Sequence, residues 1–130
     1  MTYALTATVP APFHDTLLAT RAALADQGFG VLSEIDLAAT LKNKIDADIP
    51  AQVIVGACRP PLAYAALQAE PSIGLLLPCN VVVSDLGDDT TLVEALDPEI
   101  MLTLTRNEEL ADVAADARAR LTAAMAALTA

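Results

Sequence analysis

Polar and apolar residues alternate strictly over 2–9, with Tyr3, Leu5, Ala7 and Val9 on one side and Thr2, Ala4, Thr6 and Thr8 on the other. Alternation with a period of two predicts a half-buried strand. Pro10-Ala11-Pro12 ends it, and Phe13, Leu17 and Leu24 then fall along one stripe of a helix, interrupted by Thr20. Pro12 suits the first turn of that helix and Gly28 a left-handed cap at its end. A second strand is predicted over 29–36, with Phe29, Val31 and Ile35 on one face and Leu32, Glu34 and Asp36 on the other. Residues 37–45 predict a short helix carrying Lys42 and Lys44, and residues 46–50 a loop.

The β-branched run over 52–58 predicts a third strand, stopped by Pro60-Pro61. Pro61 opens a short helix over 62–69, and Glu70-Pro71 closes it, because a residue before proline avoids helical geometry. The longest apolar stretch, 74–84, reads as a central strand, either covered on both faces or paired at an oligomer interface on one of them. Pro78 cannot donate to a central ladder, so a bend or bulge is expected at Pro78-Cys79. Gly87, Asp88 and Asp89 mark a hairpin turn, after which 91–96 returns as an antiparallel strand. Asp97-Pro98-Glu99 starts a short helix over 98–104, and Asn107-Glu108-Glu109 starts a longer one. Its stripe is Leu110, Val113, Ala114, Ala117, Leu121, Ala124 and Leu128. This order predicts a single α+β domain over 1–130. It would have a strand-helix-strand start, a mainly antiparallel sheet of about five strands packed by helices, and a long C-terminal helix.

Composition narrows the function classes. Apolar residues make up 55% of the chain but aromatics only 3%, so the core is aliphatic and stacking platforms for single-stranded nucleic acid are absent. The formal net charge is −10, and the seven basic residues form no cluster. DNA, RNA and anionic membrane, which need a positive footprint, are therefore excluded as expected partners. The N-terminus shows no basic segment followed by an apolar one, and no apolar run is long enough to span a bilayer. The expected location is the cytoplasm, where a structural disulfide is disfavoured.

The chemistry available centres on two cysteines. Cys58 precedes Pro60-Pro61 and Cys79 follows Pro78, each beside an apolar run. The separation of 21 residues fits no zinc signature, and His14 is the only histidine. Thiolates from adjacent strands suit a soft ion such as Cu(I), or a dithiol–disulfide couple where the sulfurs come close. The structural alternative is that both thiols are packed core residues. Arg59 adjoins Cys58 and favours a thiolate where the two side chains share a face, although neighbours on a strand face opposite ways. Asn80, inside the apolar run, is expected to be buried, tying down the Pro78 bend or facing a pocket. Glu34 and Asp36, two residues apart, are expected on one sheet face as a carboxylate pair for metal or proton chemistry, or as a solvated strand side. No nucleophile, base and orienting group assemble, so an enzyme ranks behind a binding module and a structural or protein-interaction domain.

The chain resembles the domain-of-unknown-function family numbered 302. The resemblance is carried by Gly28-Phe29-Gly30-Val31-Leu32 with Glu34-Ile35-Asp36, by Gly56-Ala57-Cys58 with Pro60, and by Ala63 with Leu67. It continues through Gly74-Leu75-Leu76-Leu77-Pro78-Cys79-Asn80-Val81 and Asp97-Pro98 with Met101. It implies a compact α+β fold, an antiparallel sheet packed by helices, and a homodimer, and it assigns no activity. Cys58, Cys79, Asn80, Glu34 and Asp36 are the candidate ligand-binding residues, with Cys58 and Cys79 as candidate metal ligands. The leading expectation is a dimeric module for a small ligand, a soft metal ion such as copper, or redox chemistry.

Overall fold

The computed structural model describes residues 3–130. Thr2, expected at the start of the first strand, lies outside the described residues. Five strands form one antiparallel sheet: β1 (Ala4–Val9), β2 (Gly30–Asp36), β3 (Gln52–Cys58), β4 (Cys79–Gly87) and β5 (Thr90–Leu96), in the spatial order β1-β5-β4-β3-β2. The first two strands therefore stand at opposite edges. Helix α1 (Phe13–Asp26) carries the chain across one face between them. Helix α5 (Ala111–Ala127) packs against α1 and β1 on that same face.

The main core lies between the sheet and these two helices. Val55, Val81, Val83 and Val93 point down from three adjacent strands onto Leu24 and Leu121, all nearly inaccessible to solvent. Burial of each such side chain contributes about 1.5–3 kcal/mol. The α5 stripe is as expected at Leu110, Ala114, Ala117, Leu121 and Ala124, with Met125 added, while Val113 and Leu128 are half-buried. Thr20, the polar interruption on α1, is buried but satisfied: its hydroxyl donates to the Thr16 carbonyl at 2.7 Å.

A second, smaller core closes one end of the molecule. It joins Ala66 of helix α3 (Pro60–Ala69), Ile73 of a 3-10 segment (Pro71–Leu76), Met101 of helix α4 (Glu99–Thr105), and Leu110 and Ala114 at the start of α5. Asn107 holds these pieces together. Its Oδ1 accepts from the Glu109 amide at 3.0 Å, and its Nδ2 donates to the Ala69 carbonyl at 2.9 Å and to Glu70 Oε1 at 3.0 Å. Helix α2 (Leu37–Ile45) touches β2 and β3 but buries none of its residues.

The stretch 74–84 departs from expectation. Its first part is not strand: Pro71–Leu76 forms the 3-10 segment, and β4 begins only at Cys79, after a cis Leu77-Pro78 peptide. The chain does bend at Pro78, as expected, but no bulge forms there, because the proline precedes the ladder and has no pairing to disrupt. The register shift in β4 falls instead between Asp85 and Gly87, beside the turn residues Asp88 and Asp89, which have positive φ. Nor is β4 apolar on both sides. Val81 and Val83 are buried, whereas Asn80 is exposed and Val82 and Ser84 are half-buried on the face away from α1 and α5. Being central, β4 pairs on both edges, with β3 and with β5.

Candidate functional site

Cys58 and Cys79 come together where the two cores meet. The ladder pairs Gly56 with Asn80 and Ala57 with Cys79, so Cys79 stands across from the residue before Cys58. Both cysteines are among the residues lining one crevice between the ends of β3 and β4, helix α3 and Met101 of α4. The cavity is about 30 Å³ and almost wholly apolar. Phe29 and Ala57 wall it from the main core, Ala66 and Met101 from the small one. Burial, and next the charge of Cys58, push the Cys79 thiol up from 9.0 to about 11. Cys79 is therefore a neutral thiol at physiological pH. Neither cysteine is in a disulfide.

The third element of the crevice is Arg59. It occupies the cap position of α3, where its carbonyl accepts from the Leu62 and Ala63 amides at 3.0 and 3.1 Å. Pro60 and Pro61 open the helix without N–H groups of their own, so no side-chain cap is required. The Arg59 stem lies over Gly28: a Cβ built there would meet Arg59 Nε at 2.9 Å. Gly28, at φ +85, is the left-handed residue that ends α1. Its amide donates to the Ala25 carbonyl and that of Phe29 to the Leu24 carbonyl, each at 3.0 Å. Arg59 Nε is buried and has no hydrogen-bond partner, an arrangement that costs about 1–3 kcal/mol.

The other expected residues lie elsewhere. Asn80 is exposed, not buried, because it alternates with Cys79 and so points to the opposite face. There it lines a separate groove with Tyr3, Val82 and Glu94. Glu34 and Asp36 do share a side of β2, opposite Val55 and Val53. Each is engaged structurally, however. Glu34 pairs with Arg21 of α1, and Asp36 caps α2, its Oδ1 accepting from the Ala39 amide at 2.9 Å. Counted along β3 from these partners, the pair stands about 10 and 16 Å from Cys58 at roughly 3.3 Å per residue. Among the described residues no group of three or more His, Cys, Asp or Glu side chains is placed to hold a metal ion.

A family model described as "Domain of unknown function DUF302" matches residues 5–128. The chain belongs to the DUF302 family. A crystal structure of an uncharacterized conserved DUF302 protein from Bacillus stearothermophilus is similar over 98% of each chain, with 26% identity and a TM-score of 0.89. Comparison with curated proteins gives no match. The α+β architecture with its antiparallel sheet is thus the fold of this DUF302 chain. No helix among its described residues is long and apolar enough to cross a membrane.

Of the residues lining the crevice, only Cys58 and Cys79 were candidates drawn from the sequence; Met101 and Arg59 are among those that were not. Met101 follows the Asp97-Pro98 helix start, but only the packing of α4 against α5, in the small core it shares with Ala66 of α3, brings it to the crevice. Arg59 was legible as a neighbour of Cys58. The turn from β3 into α3 is what frees it from strict strand alternation.

Proposed function

We propose that this DUF302 domain is a binding module for a soft metal ion, held by Cys58 and Cys79. The observation that carries this reading is that two free cysteines from adjacent strands are among the residues lining one small apolar crevice. A cavity of about 30 Å³ has room for an ion and little more, which favours a metal over an organic ligand. Thiolates select Cu(I) among the common ions, and a hydrophobic surround excludes competing water ligands. Free thiols of this kind belong in a reducing compartment, which supports a cytoplasmic location. The test is anaerobic equilibrium dialysis of the reduced protein against Cu(I). One ion per chain is expected, lost in both Cys58→Ser and Cys79→Ser. Uptake that survives both substitutions rejects the reading.

A homodimer is the second part of this reading. Strand β2 is an open edge, and Leu32 on it is 68% exposed, Ile35 47%, and Ile45 on the adjoining α2 70%. A second copy meeting this edge about a two-fold axis would pair the free backbone groups and cover these side chains together. Light scattering at micromolar concentration should give twice the chain mass, and Leu32→Glu should return the monomer. A wild-type protein that scatters as a monomer rejects the dimer.

A further inference from the structure

Across β1, β5 and β4, the sheet face turned away from α1 and α5 holds a groove of about 250 Å³ that shares no lining residue with the cysteine crevice. Val81, Val83, Val93 and Ala95 are buried in the main core, so alternation turns Asn80, Val82, Glu94 and Leu96 to the groove side. Glu94 lies directly across the ladder from Val82, and Val81 across from Ala95, which places Asn80 opposite Leu96 and diagonal to Glu94. We propose that this groove binds a small alkylammonium ligand, with the ammonium group between the Glu94 carboxylate and the Asn80 side-chain carbonyl and the alkyl part on Val82 and Leu96.

Both polar groups are free to take a ligand. Among the described residues no salt bridge or side-chain hydrogen bond engages Glu94 or Asn80, whereas Glu34, Asp36, Asp97 and Asp116 each have a partner. Diagonal neighbours on a sheet stand about 7–8 Å apart, a gap that one group spans when it donates a hydrogen bond of about 2.9 Å to each side chain. An ammonium brings three donors and no acceptor, which matches two acceptor side chains and leaves one donor for water.

Charge selects the sign of the ligand. Glu94 is the only ionisable side chain in the row Thr6, Glu94, Val82, Ile54 and Ile35, which crosses all five strands. It is half-buried beside apolar neighbours, where a cation gains more from it than from a carboxylate fully in water. The net charge of −10 draws cations to the chain and repels anions. A bare metal ion is poorly served. Glu94 and Asn80 offer fewer oxygen ligands than calcium takes, and among the described residues no cluster of three metal-binding side chains includes Glu94. Val82 and Leu96 are half-buried and give the alkyl part an apolar bed, while Ala4, across from Leu96, is too short to fill the groove. The β2 edge, where two copies are proposed to meet, is separated from the groove by β3, so the groove stays open in that dimer.

The experiment is an NMR titration of the full chain with n-butylammonium chloride, n-butanol and sodium butyrate at constant ionic strength, on wild type, Glu94→Gln, Asn80→Ala and Glu34→Gln. Butylammonium should shift the amide signals around Asn80, Val82, Glu94 and Leu96 and saturate them at one ligand per chain. Its affinity should exceed that of butanol and of butyrate by at least about tenfold. Glu94→Gln should lower the affinity by about tenfold and Asn80→Ala by about threefold. Glu34→Gln, which removes a carboxylate outside the groove, should leave it unchanged. Shifts that do not saturate, that spread over the acidic surface, or that butanol reproduces at equal affinity overturn the site. So does an unchanged affinity in Glu94→Gln, while an unchanged affinity in Asn80→Ala overturns the role of the amide. If Glu94→Gln does not fold, the wild-type comparison of amine, alcohol and carboxylate decides alone. None of these outcomes involves the cysteines, so the soft-metal reading stands or falls separately.

Discussion

Cys79 stands directly across the ladder from Ala57, one residue short of Cys58, and both cysteines are among the residues lining a single crevice at the end of the sheet. The partners of the crevice come from both cores, so it is sensitive to how the small core sits on the sheet. The burial of the Cys79 thiol can also be measured without any metal.

The first prediction concerns pH. The folded state holds the Cys79 proton up to about 11, whereas the free thiol releases it near 9.0. Between these values the unfolded chain binds fewer protons than the native one, so stability falls as pH rises. It is fully present below about pH 9, and about 2–3 kcal/mol is lost by pH 11. Urea unfolding of the reduced protein across this window should show the decline, and Cys79→Ala should flatten it. A wild-type midpoint that does not move between pH 9 and 11 contradicts the burial of this thiol.

Asn107 is the second test. Its amide caps the start of the last helical segment and ties it to the end of α3. Asn107→Ala removes the cap and leaves the Ala69 carbonyl without this donor, at a cost of about 2 kcal/mol. Chemical denaturation should show the loss, and the crevice between α3 and α4 should become more accessible to thiol reagents.

Gly56 is the third. It lies on the buried stretch of β3 beneath Ser33 and Pro78, and a Cβ there would sit 2.9 Å from Pro78 Cγ and closer still to Ser33 Oγ. Gly56→Ala should therefore destabilise by about 1–3 kcal/mol through overpacking. Since Gly56 lies two residues before Cys58, its substitution should also disturb the thiols, read as faster alkylation of Cys79.

These tests also show where the sequence was legible. Helix α2 and strand β3 have the predicted bounds, because turn and proline signals bracket them on both sides. The Asp97 and Asn107 caps were readable because a capping side chain acts within a few residues of itself. The apolar run 74–84 was not, since Gly74, Leu75 and Leu76 are as apolar as the valines that follow, and hydropathy alone does not separate a 3-10 segment from a strand. The site was half legible for the same reason. Proline beside each cysteine marked the two places, but Met101 and Arg59 join them only through helix packing. Asn80 was misplaced because the strand begins at Cys79 and alternation carries the amide to the far face.

Glu34 provides a negative control. It pairs with Arg21 in a partly exposed setting at some distance from the crevice, so Glu34→Gln should cost less than about 1 kcal/mol. Cu(I) uptake should be unchanged. A loss of metal binding in this variant would return the carboxylates to the site and displace the cysteine-centred account.

The most direct test of that account is protection of both thiols by one ion. The reduced protein is alkylated at pH 8 with and without a single equivalent of Cu(I), and modification at each cysteine is followed by mass spectrometry after digestion. Cys58 and Cys79 should become protected together and in step with copper added, reaching completion at one ion per chain. Protection of only one cysteine, or of neither, contradicts a shared metal site.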